Sequence, residues 1–123
     1  MEKELKVIPI FRIFDIPKAM EFYVDWLGFK VDLEHRFGEK SPVYMGVSYR
    51  HITIHLTEHH GDACPGSKAF VEFSNLREYH KNLIDKKYKY NAPALEMAPW
   101  KSLCMEVIDP FGNKLLFSEA QDE

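Results

Sequence analysis

The sequence predicts an α+β fold built from two similar halves, residues about 1–60 and 61–123, within one domain. Apolar runs separated by turn residues indicate the order strand, helix and three strands, and this order occurs twice. A shift of about 60 residues places apolar positions on apolar positions, from Ile10 on Phe70 to Val47 on Val107, with almost no identities. A clear hairpin signal near the C-terminus completes the second half.

The first half begins with a predicted edge strand, Leu5 to Ile13, because its apolar run contains Pro9, which lacks an N–H donor. A helix follows, with Asp15 as its N-cap, apolar residues at helical spacing from Ile16 to Leu27, and Gly28 as the residue that ends it. Three more strands are expected between turn residues. They are Phe29 to Phe37, Val43 to Tyr49 and Ile52 to Glu58.

The second half follows a glycine-containing loop, His59 to Gly66, which we interpret as a linker or an ordered lid. The capping pair Ser74-Asn75 predicts a helix with apolar residues from Leu76 to Ile84 that ends at Lys86-Lys87. The turn Asp109 to Asn113 contains a proline and a glycine, as hairpin turns often do. The predicted strands are Lys68 to Phe73, a short strand around Ala94 to Met97, and the hairpin strands within Lys101 to Ser118.

Composition limits the class of protein. With 46% hydrophobic and 28% charged residues, the chain is expected to fold rather than remain disordered. The net charge of −3 and the lack of any basic cluster longer than Lys86-Lys87 argue against a nucleic-acid partner. The charged first residues and the lack of a long apolar segment predict a soluble, cytoplasmic protein that does not enter a membrane. Cys64 and Cys104 are expected to be reduced thiols.

Alternation along the predicted strands sorts their side chains onto two faces. The first face is wholly apolar and is expected to pack against the helices; it carries Pro9, Phe11, Ile13, Ile52, Ile54, Leu56, Ala69, Val71, Phe73, Leu115 and Phe117. The second face mixes charged residues with apolar ones; it carries Ile8, Ile10, Arg12, His51, Thr53, His55, Lys68, Phe70, Glu72, Lys114, Leu116 and Ser118. This mixture predicts a half-polar cavity.

Two motifs, Phe22-Tyr23-x-x-x-Leu27-Gly28-Phe29 and Asp109-Pro110-x-Gly112-Asn113, give the chain a resemblance to a known family. It resembles the vicinal oxygen chelate superfamily, which includes glyoxalase I, extradiol dioxygenases, fosfomycin-resistance enzymes and bleomycin-resistance proteins. Ile8-Pro9-Ile10 and Pro99-Trp100 make it most similar to the bleomycin-resistance branch. The resemblance implies paired βαβββ modules with curled mixed sheets around a cleft, and a homodimer that shares its clefts and exchanges the N-terminal strand around a proline like Pro9.

The resemblance also allows a test for the metal site of the superfamily. Enzymes of the superfamily bind a divalent metal through His and Glu at four strand positions, which correspond here to Ile8, His55, Lys68 and Leu116. Only His55 can bind a metal, whereas about three protein ligands are needed for a catalytic site. We therefore expect no metal and no cofactor. A relocated site remains open, because several possible ligands cluster around one strand and its loop: His51, His55, Glu58, His59, His60 and Asp62.

Seven residues are candidates for ligand binding. Trp100 corresponds to a tryptophan at the cleft of bleomycin-resistance proteins, where a large ring can stack on a planar or cationic ligand; a role as a core anchor is the alternative. The polar candidates Arg12, His55, Glu72 and Glu106 each have a structural salt bridge as the alternative, and Arg12 and Glu72 could pair across neighbouring strands. The full set is Trp100, Phe37, Phe70, Arg12, His55, Glu72 and Glu106. The helical spacing of Phe22, Tyr23 and Trp26, with Phe29, predicts core packing instead.

These expectations favour a metal-independent, non-enzymatic protein that binds and sequesters a small, partly aromatic molecule as a homodimer. A glycopeptide antibiotic fits the resemblance, although a net charge of −3 gives only modest attraction for a cationic drug such as bleomycin. The alternative is a metal-dependent lyase, isomerase or dioxygenase with relocated ligands.

Overall fold

The computed structural model of the protein describes residues 5–36 and 38–121. Its strands are β1 (Ile10–Arg12), β2 (Lys30–Arg36), β3 (Val43–Tyr49), β4 (Ile52–Thr57), β5 (Lys68–Glu72), β6 (Glu96–Met97), β7 (Ser102–Ile108) and β8 (Lys114–Ala120). Its helices are α1 (Ile16–Met20), which continues as a π-helical segment (Glu21–Trp26), and α2 (Leu76–Asp85). Within the described ranges, no helix is long and apolar enough to cross a membrane.

The strands form two open, mixed sheets of four strands each. The first sheet has the order β1-β4-β3-β2, and the second sheet has the matching order β5-β8-β7-β6. In each sheet the first strand pairs in parallel with the last strand of its half, and the other pairs are antiparallel. This arrangement confirms the predicted α+β fold with two βαβββ modules.

The N-terminal strand is shorter than predicted. The expected strand ran from Leu5 to Ile13, but β1 covers only Ile10–Arg12, and Leu5 and Val7 are almost fully exposed. The carbonyl of Pro9 still accepts a hydrogen bond from the His55 N–H at 2.9 Å. Because proline has no N–H to donate, regular pairing begins only after it, at the edge of the sheet where the sequence placed this strand.

The first helix begins where the capping signal predicted. The Asp15 side chain accepts a hydrogen bond from the Lys18 N–H at 2.9 Å, and Gly28 follows the helix with φ of 86°. The π-helical segment was not predicted. Its wider turn brings Phe22, Tyr23 and Trp26 into the core together, at 1 to 2% exposure. Their predicted role in core packing is confirmed.

One buried cluster joins the helix-facing sides of both sheets to the two helical regions. The Tyr79 hydroxyl donates to the Leu27 carbonyl at 2.6 Å, and the Trp26 Nε1–H donates to the Leu83 carbonyl at 3.1 Å. Tyr49 stacks on Phe73 with ring centroids 6.2 Å apart. The two modules therefore share a core, which leaves the opposite side of each sheet turned away from it.

The β7–β8 turn links distant parts of this core. The Asp109 Oδ1 accepts hydrogen bonds from the N–H groups of Phe111 and Asn113, both at 2.8 Å. The Asn113 side chain donates to the Arg12 carbonyl at 2.8 Å and accepts from the Ser67 N–H at 3.1 Å. The turn residues predicted from sequence thus hold the end of β1 and the start of β5 together.

The start of α2 differs from the prediction. Asn75 has a left-handed backbone, with φ of 62°, and within the described part of the chain its side chain makes no capping hydrogen bond. The Glu119 carboxylate accepts instead, from the Asn75 N–H at 2.8 Å and from the Leu76 N–H at 3.0 Å. A side chain from β8 therefore satisfies the helix N-terminus that Ser74-Asn75 was expected to cap.

Candidate ligand-binding site

The candidate site consists of the two sheet surfaces that face away from the shared core. On the core side of the strands, the predicted apolar face is largely buried, with Phe11, Ile54, Leu56, Leu115 and Phe117 at 1% exposure or less. The opposite parity forms what we call the open face of each sheet. Its residues are mostly half-buried or exposed, which agrees with the mixed polarity predicted for it.

On the open face of the first sheet, one register row runs across all four strands through Ile10, His55, Gly46 and Leu33. Gly46 leaves a notch in this row: a Cβ there would lie 3.1 Å from the His55 ring and 3.2 Å from Leu33 Cγ. The imidazole and the leucine side chain therefore occupy the space that a larger residue would need. Ile10 and Leu33 remain exposed at the two ends of the row.

His55 is held by Tyr44 from the neighbouring strand. The Tyr44 hydroxyl lies 2.7 Å from His55 Nδ1, and the two rings meet edge to face with centroids 5.2 Å apart. Partial burial, and then the charge of Asp62, raise the pKa of Tyr44, so its hydroxyl keeps its proton at neutral pH. When the hydroxyl donates to Nδ1, the Nε2 nitrogen carries the proton of the neutral ring and can donate to a ligand.

On the open face of the second sheet, Lys68 and Glu106 form an ion pair with Nζ and Oε1 2.7 Å apart. Register places Phe70, Leu116 and Glu106 in one row, so the Lys68 side chain reaches Glu106 diagonally across β8. The two side chains are 50% and 36% exposed, so the pair contributes little to stability. It gives this face one positive and one negative group within reach of a ligand.

The predicted alternative of an Arg12–Glu72 ion pair across neighbouring strands is wrong. β1 and β5 belong to different sheets, so the two residues do not lie on adjacent strands. The Arg12 Nη1 instead donates to the Glu58 carbonyl, and the guanidinium lies 4.3 Å from the centroid of the Phe14 ring. Glu72 lies on the open face of the second sheet and is exposed.

Two of the three predicted aromatic residues, Trp100 and Phe70, lie on the surface. Trp100 is 60% exposed in the turn between β6 and β7, which excludes the alternative that it anchors the core. This turn is closed by a hydrogen bond from the Ala98 N–H to the Ser102 carbonyl at 2.8 Å. Phe70 is 56% exposed on the open face of the second sheet. Phe37 lies outside the described residues.

The four positions that the resemblance assigns to metal ligands do not suit a divalent cation. The Lys68 ammonium is paired with Glu106, and Ile8 and Leu116 have no donor atoms, which leaves His55 alone. Over residues 5–36 and 38–121, no three His, Cys, Asp or Glu side chains lie close enough together to hold a metal ion.

The loop that follows β4 is folded onto the end of that strand. The buried Thr57 hydroxyl donates to Asp62 Oδ2 at 2.8 Å and accepts from the His59 N–H at 3.0 Å. His60 is exposed.

Sequence reasoning missed Tyr44, Gly46 and Lys68 as members of the site. The alternation of β3 places Tyr44, Gly46 and Ser48 on one face, and the register with β4 puts Tyr44 and Gly46 beside Thr57 and His55. This alternation can be recognised in the sequence, but only the strand order shows which residues of β4 lie beside Tyr44 and Gly46. Lys68 was placed on the mixed face and judged a poor metal ligand, but its ion pair with Glu106 was not predicted, because that partner lies two strands away.

A family model described as "Glyoxalase superfamily protein" matches residues 3–123. The chain therefore belongs to the glyoxalase superfamily. This membership agrees with the two motifs and with the paired βαβββ modules. No curated protein matches the chain by sequence at a significant level.

Solved structures of bleomycin-binding and bleomycin-resistance proteins share the fold. A bleomycin-binding protein from the bleomycin producer Streptomyces verticillus, in complex with copper(II)-bleomycin, is 27% identical and has a TM-score of 0.67, with coverage of 99% of this chain and 100% of that one. A second bleomycin-binding protein, in complex with bleomycin, is 17% identical over 96% of this chain and 100% of that chain, with a TM-score of 0.72. A bleomycin resistance determinant encoded on transposon Tn5 is 15% identical over 97% of this chain and 100% of that chain, with a TM-score of 0.73.

Proposed function

We propose that this protein binds and sequesters a small, partly aromatic molecule, as a homodimer and without a catalytic metal. The observation that carries the proposal is the composition of the open faces: exposed Ile10 and Leu33 flank His55 on the first sheet, and exposed Phe70 lies beside the Lys68–Glu106 ion pair on the second. Apolar walls with a few placed polar groups are typical of ligand sites. Three solved structures of similar fold are bleomycin-binding or bleomycin-resistance proteins, which supports an antibiotic of the bleomycin class as the ligand.

A second copy of the chain supplies the walls that a single copy lacks. Each open face is a surface rather than an enclosed cavity, and exposed aromatic and aliphatic groups of this kind favour burial against a partner. In a twofold dimer, the first sheet of one copy faces the second sheet of the other, so that both copies contribute to each cleft. The ligand then lies between the His55–Tyr44 pair and the Lys68–Glu106 pair.

Within each cleft, we assign different tasks to the predicted residues. Trp100 and Phe70 offer exposed rings on which planar parts of the ligand stack. Glu106 and Glu72 attract cationic groups, and His55 donates a hydrogen bond from Nε2. Arg12 supports the loop after β4 through the Glu58 carbonyl and presents the rest of its guanidinium to the ligand.

Calorimetry with metal-free bleomycin and with copper(II)-bleomycin tests the ligand class. We expect binding to the wild-type protein and a loss of about tenfold or more in affinity for Trp100→Ala, since a stacked aromatic ring is a common hot spot. The matched control is Tyr90→Ala, which removes another exposed ring that lies on neither open face, and it should bind like wild type. Binding that is unchanged in Trp100→Ala would contradict the site, and no binding of either form would contradict the ligand class.

Two further measurements test the dimer and the metal. Sedimentation equilibrium is expected to give twice the mass of 14.5 kDa, and Phe70→Asp should shift the protein toward the monomer because it places a charge in the interface. Elemental analysis after dialysis should find less than one divalent ion per chain, and chelator should leave the Tm unchanged. One retained ion per chain, with a Tm lowered by chelator, would support the relocated-ligand enzyme instead.

A further inference from the structure

A cavity of about 590 Å³ lies outside the open faces, where three parts of the chain meet. We call it the tyrosine pocket. It is lined by Lys18 and Glu21 of the first helical region, by residues Tyr88 to Asn91 after α2, and by Ile108 to Pro110 at the end of β7. None of the described candidate residues for the cleft lines it. Its volume falls within the range of pockets that hold drug-sized molecules.

A second cavity of about 350 Å³ lies next to the tyrosine pocket, on residues that the two have in common. The two cavities share Glu21, Tyr88 and Lys89, and the second one extends to Asp25 and Lys86-Lys87. Because of these shared residues, we treat the two cavities as one groove with Tyr88 between them. An elongated ligand therefore fits better than a compact one.

The walls of the groove are held in place before any ligand binds. The Asn91 side chain donates to the Ile108 carbonyl at 2.8 Å and accepts from the Ile108 N–H at 3.2 Å, which fixes the segment after α2 to the edge of β7. The Tyr88 ring packs on Trp26 with centroids 5.0 Å apart. Burial, and then the charge of the nearby Glu21 carboxylate, raise the pKa of Tyr88 to about 12. Because these walls are already ordered, a ligand that binds here loses less affinity to the entropy cost of ordering the site.

Tyr90 gives the groove an exposed aromatic surface that is not part of the core. Tyr90 is 65% exposed and meets Tyr88 edge to face, with centroids 5.5 Å apart. The Lys89 ammonium lies 5.0 Å from the centroid of the Tyr90 ring. An aromatic ligand can pack against the exposed tyrosine while its own charge meets the lysine.

The charges of the groove favour an anion, in contrast to the chain as a whole. Four lysines line it: Lys18, Lys86, Lys87 and Lys89. Three carboxylates also line it, Glu21, Asp25 and Asp109, and of these Asp109 is buried and accepts from Tyr23 and from its own turn. The four lysines therefore outnumber the three carboxylates by one. A negatively charged group in the groove therefore meets a lining of net charge +1 (four lysines against three carboxylates) in a protein of charge −3, with the Lys18 and Lys89 ammonium groups as its partners in the tyrosine pocket.

We propose that the tyrosine pocket is a second ligand site, separate from the cleft, for an elongated aromatic molecule that carries an anionic group. The aromatic part lies along Tyr88 and Tyr90, and the anionic group lies between Lys18 and Lys89. This site does not depend on the dimer or on bleomycin binding, because all of its described walls come from one chain.

Naphthalene-2-sulfonate is a suitable probe, with 2-naphthylmethylammonium as the matched cation on the same ring. Trp100→Ala leaves Trp26 as the sole tryptophan, and Trp26 contacts Tyr88, so its fluorescence reports on the groove. We expect the sulfonate to change this fluorescence saturably and to bind at least fivefold more tightly than the ammonium at low salt. Binding should weaken as salt increases. Equal affinity for the two probes would overturn the proposal.

Variants locate the bound probe. Lys18→Gln and Lys89→Gln should each weaken sulfonate binding about three- to fivefold, as expected for the loss of one partly exposed charge, and Tyr90→Ala about tenfold. Lys81→Gln removes the same charge from α2 outside the groove and should have no effect. If Lys81→Gln equals Lys89→Gln, or if Tyr90→Ala binds like wild type, the site is wrong. A failure of bleomycin to bind would leave these outcomes unchanged, so the two proposals can fail separately.

Discussion

The hydrogen bond between Tyr23 of the first module and Asp109 of the second gives the most specific prediction about the contact between the two modules. The Tyr23 hydroxyl donates to Asp109 Oδ2 at 2.6 Å, and the two residues are only 1% and 4% exposed. The same carboxylate also accepts from the Asn113 side chain at 2.9 Å and from two backbone N–H groups. Tyr23→Phe removes one donor and keeps the ring, so its effect isolates the hydroxyl.

At pH 7, Tyr23→Phe is expected to lower the free energy of unfolding by about 1.5 to 3 kcal/mol, the range for a hydrogen bond to a charged acceptor. For a chain of 123 residues this corresponds to a Tm lower by about 5 to 15 °C. The Asp109 carboxylate keeps three other donors, which argues against a larger loss.

The effect should shrink at alkaline pH, and the sign follows from proton linkage. Burial, and then the charge and hydrogen bond of Asp109, raise the pKa of Tyr23 well above 10. Above pH 10 the unfolded chain loses the Tyr23 proton while the folded protein keeps it, so wild-type stability falls as pH rises, by about 1.4 kcal/mol per unit. Phenylalanine has no such proton. Between pH 9 and 11.5 the gap between wild type and Tyr23→Phe should therefore close by about 2 kcal/mol.

Urea unfolding at pH 7, 9 and 11.5, followed by tryptophan fluorescence, measures both quantities. Tyr90→Phe is the control, because it removes a hydroxyl from a ring that is 65% exposed, and it should change stability by less than about 0.5 kcal/mol. A loss below about 0.5 kcal/mol for Tyr23→Phe at pH 7 would refute the value assigned to the hydrogen bond. A gap that stays constant up to pH 11.5 would refute the linkage argument.

Three further predictions concern single side chains. Gly46→Ala places a Cβ 3.1 Å from the His55 ring, so calorimetry should show cleft ligand binding weakened severalfold, and wild-type affinity would contradict the role of the notch. Glu119→Ala removes both hydrogen bonds to the start of α2 and should cost about 1 kcal/mol in urea unfolding, whereas no loss would mean that water caps the helix equally well. Glu21→Gln should lower the pKa of Tyr88 from about 12, as measured by absorbance titration, and an unchanged value would show that the Glu21 charge does not raise it.

Much of the fold was predictable because its signals are local. Pro9 limited the first strand, Asp15 and Gly28 marked the two ends of the first helical region, and the Asp109 turn predicted the hairpin. In the helix and the turn, one residue and its own backbone decide the geometry, so the neighbouring sequence is sufficient, whereas Pro9 predicted the edge position of the first strand but not where its pairing begins. The alternation of apolar residues likewise identified the buried side of the strands, because the pleat has a period of two residues.

The pairs that shape the candidate site were not predictable in this way. The Lys68–Glu106 pair spans β8, and Glu119 caps a helix 43 residues before it. The expected Arg12–Glu72 pair failed for the same reason, because it assumed that β1 and β5 are neighbours. Alternation assigns a residue to a face, but only strand order and register decide which residue it meets there. The groove beside Tyr88 was not predicted either, because it is formed by three segments that are distant in sequence.

The Lys68–Glu106 pair bears most directly on what kind of chemistry this scaffold supports. At one of the positions where superfamily enzymes place a metal ligand, this chain has an ammonium group 2.7 Å from the carboxylate of Glu106. A divalent cation at that point would be repelled by the Lys68 ammonium. It could bind Glu106 only if the ion pair with Lys68 were broken, and Leu116 has no donor atom that would compensate. A cationic group of an organic ligand faces a smaller barrier, because it can share the exposed carboxylate while its apolar part covers Phe70. The same two residues that make a metal costly therefore suit the binding of a charged, partly aromatic molecule.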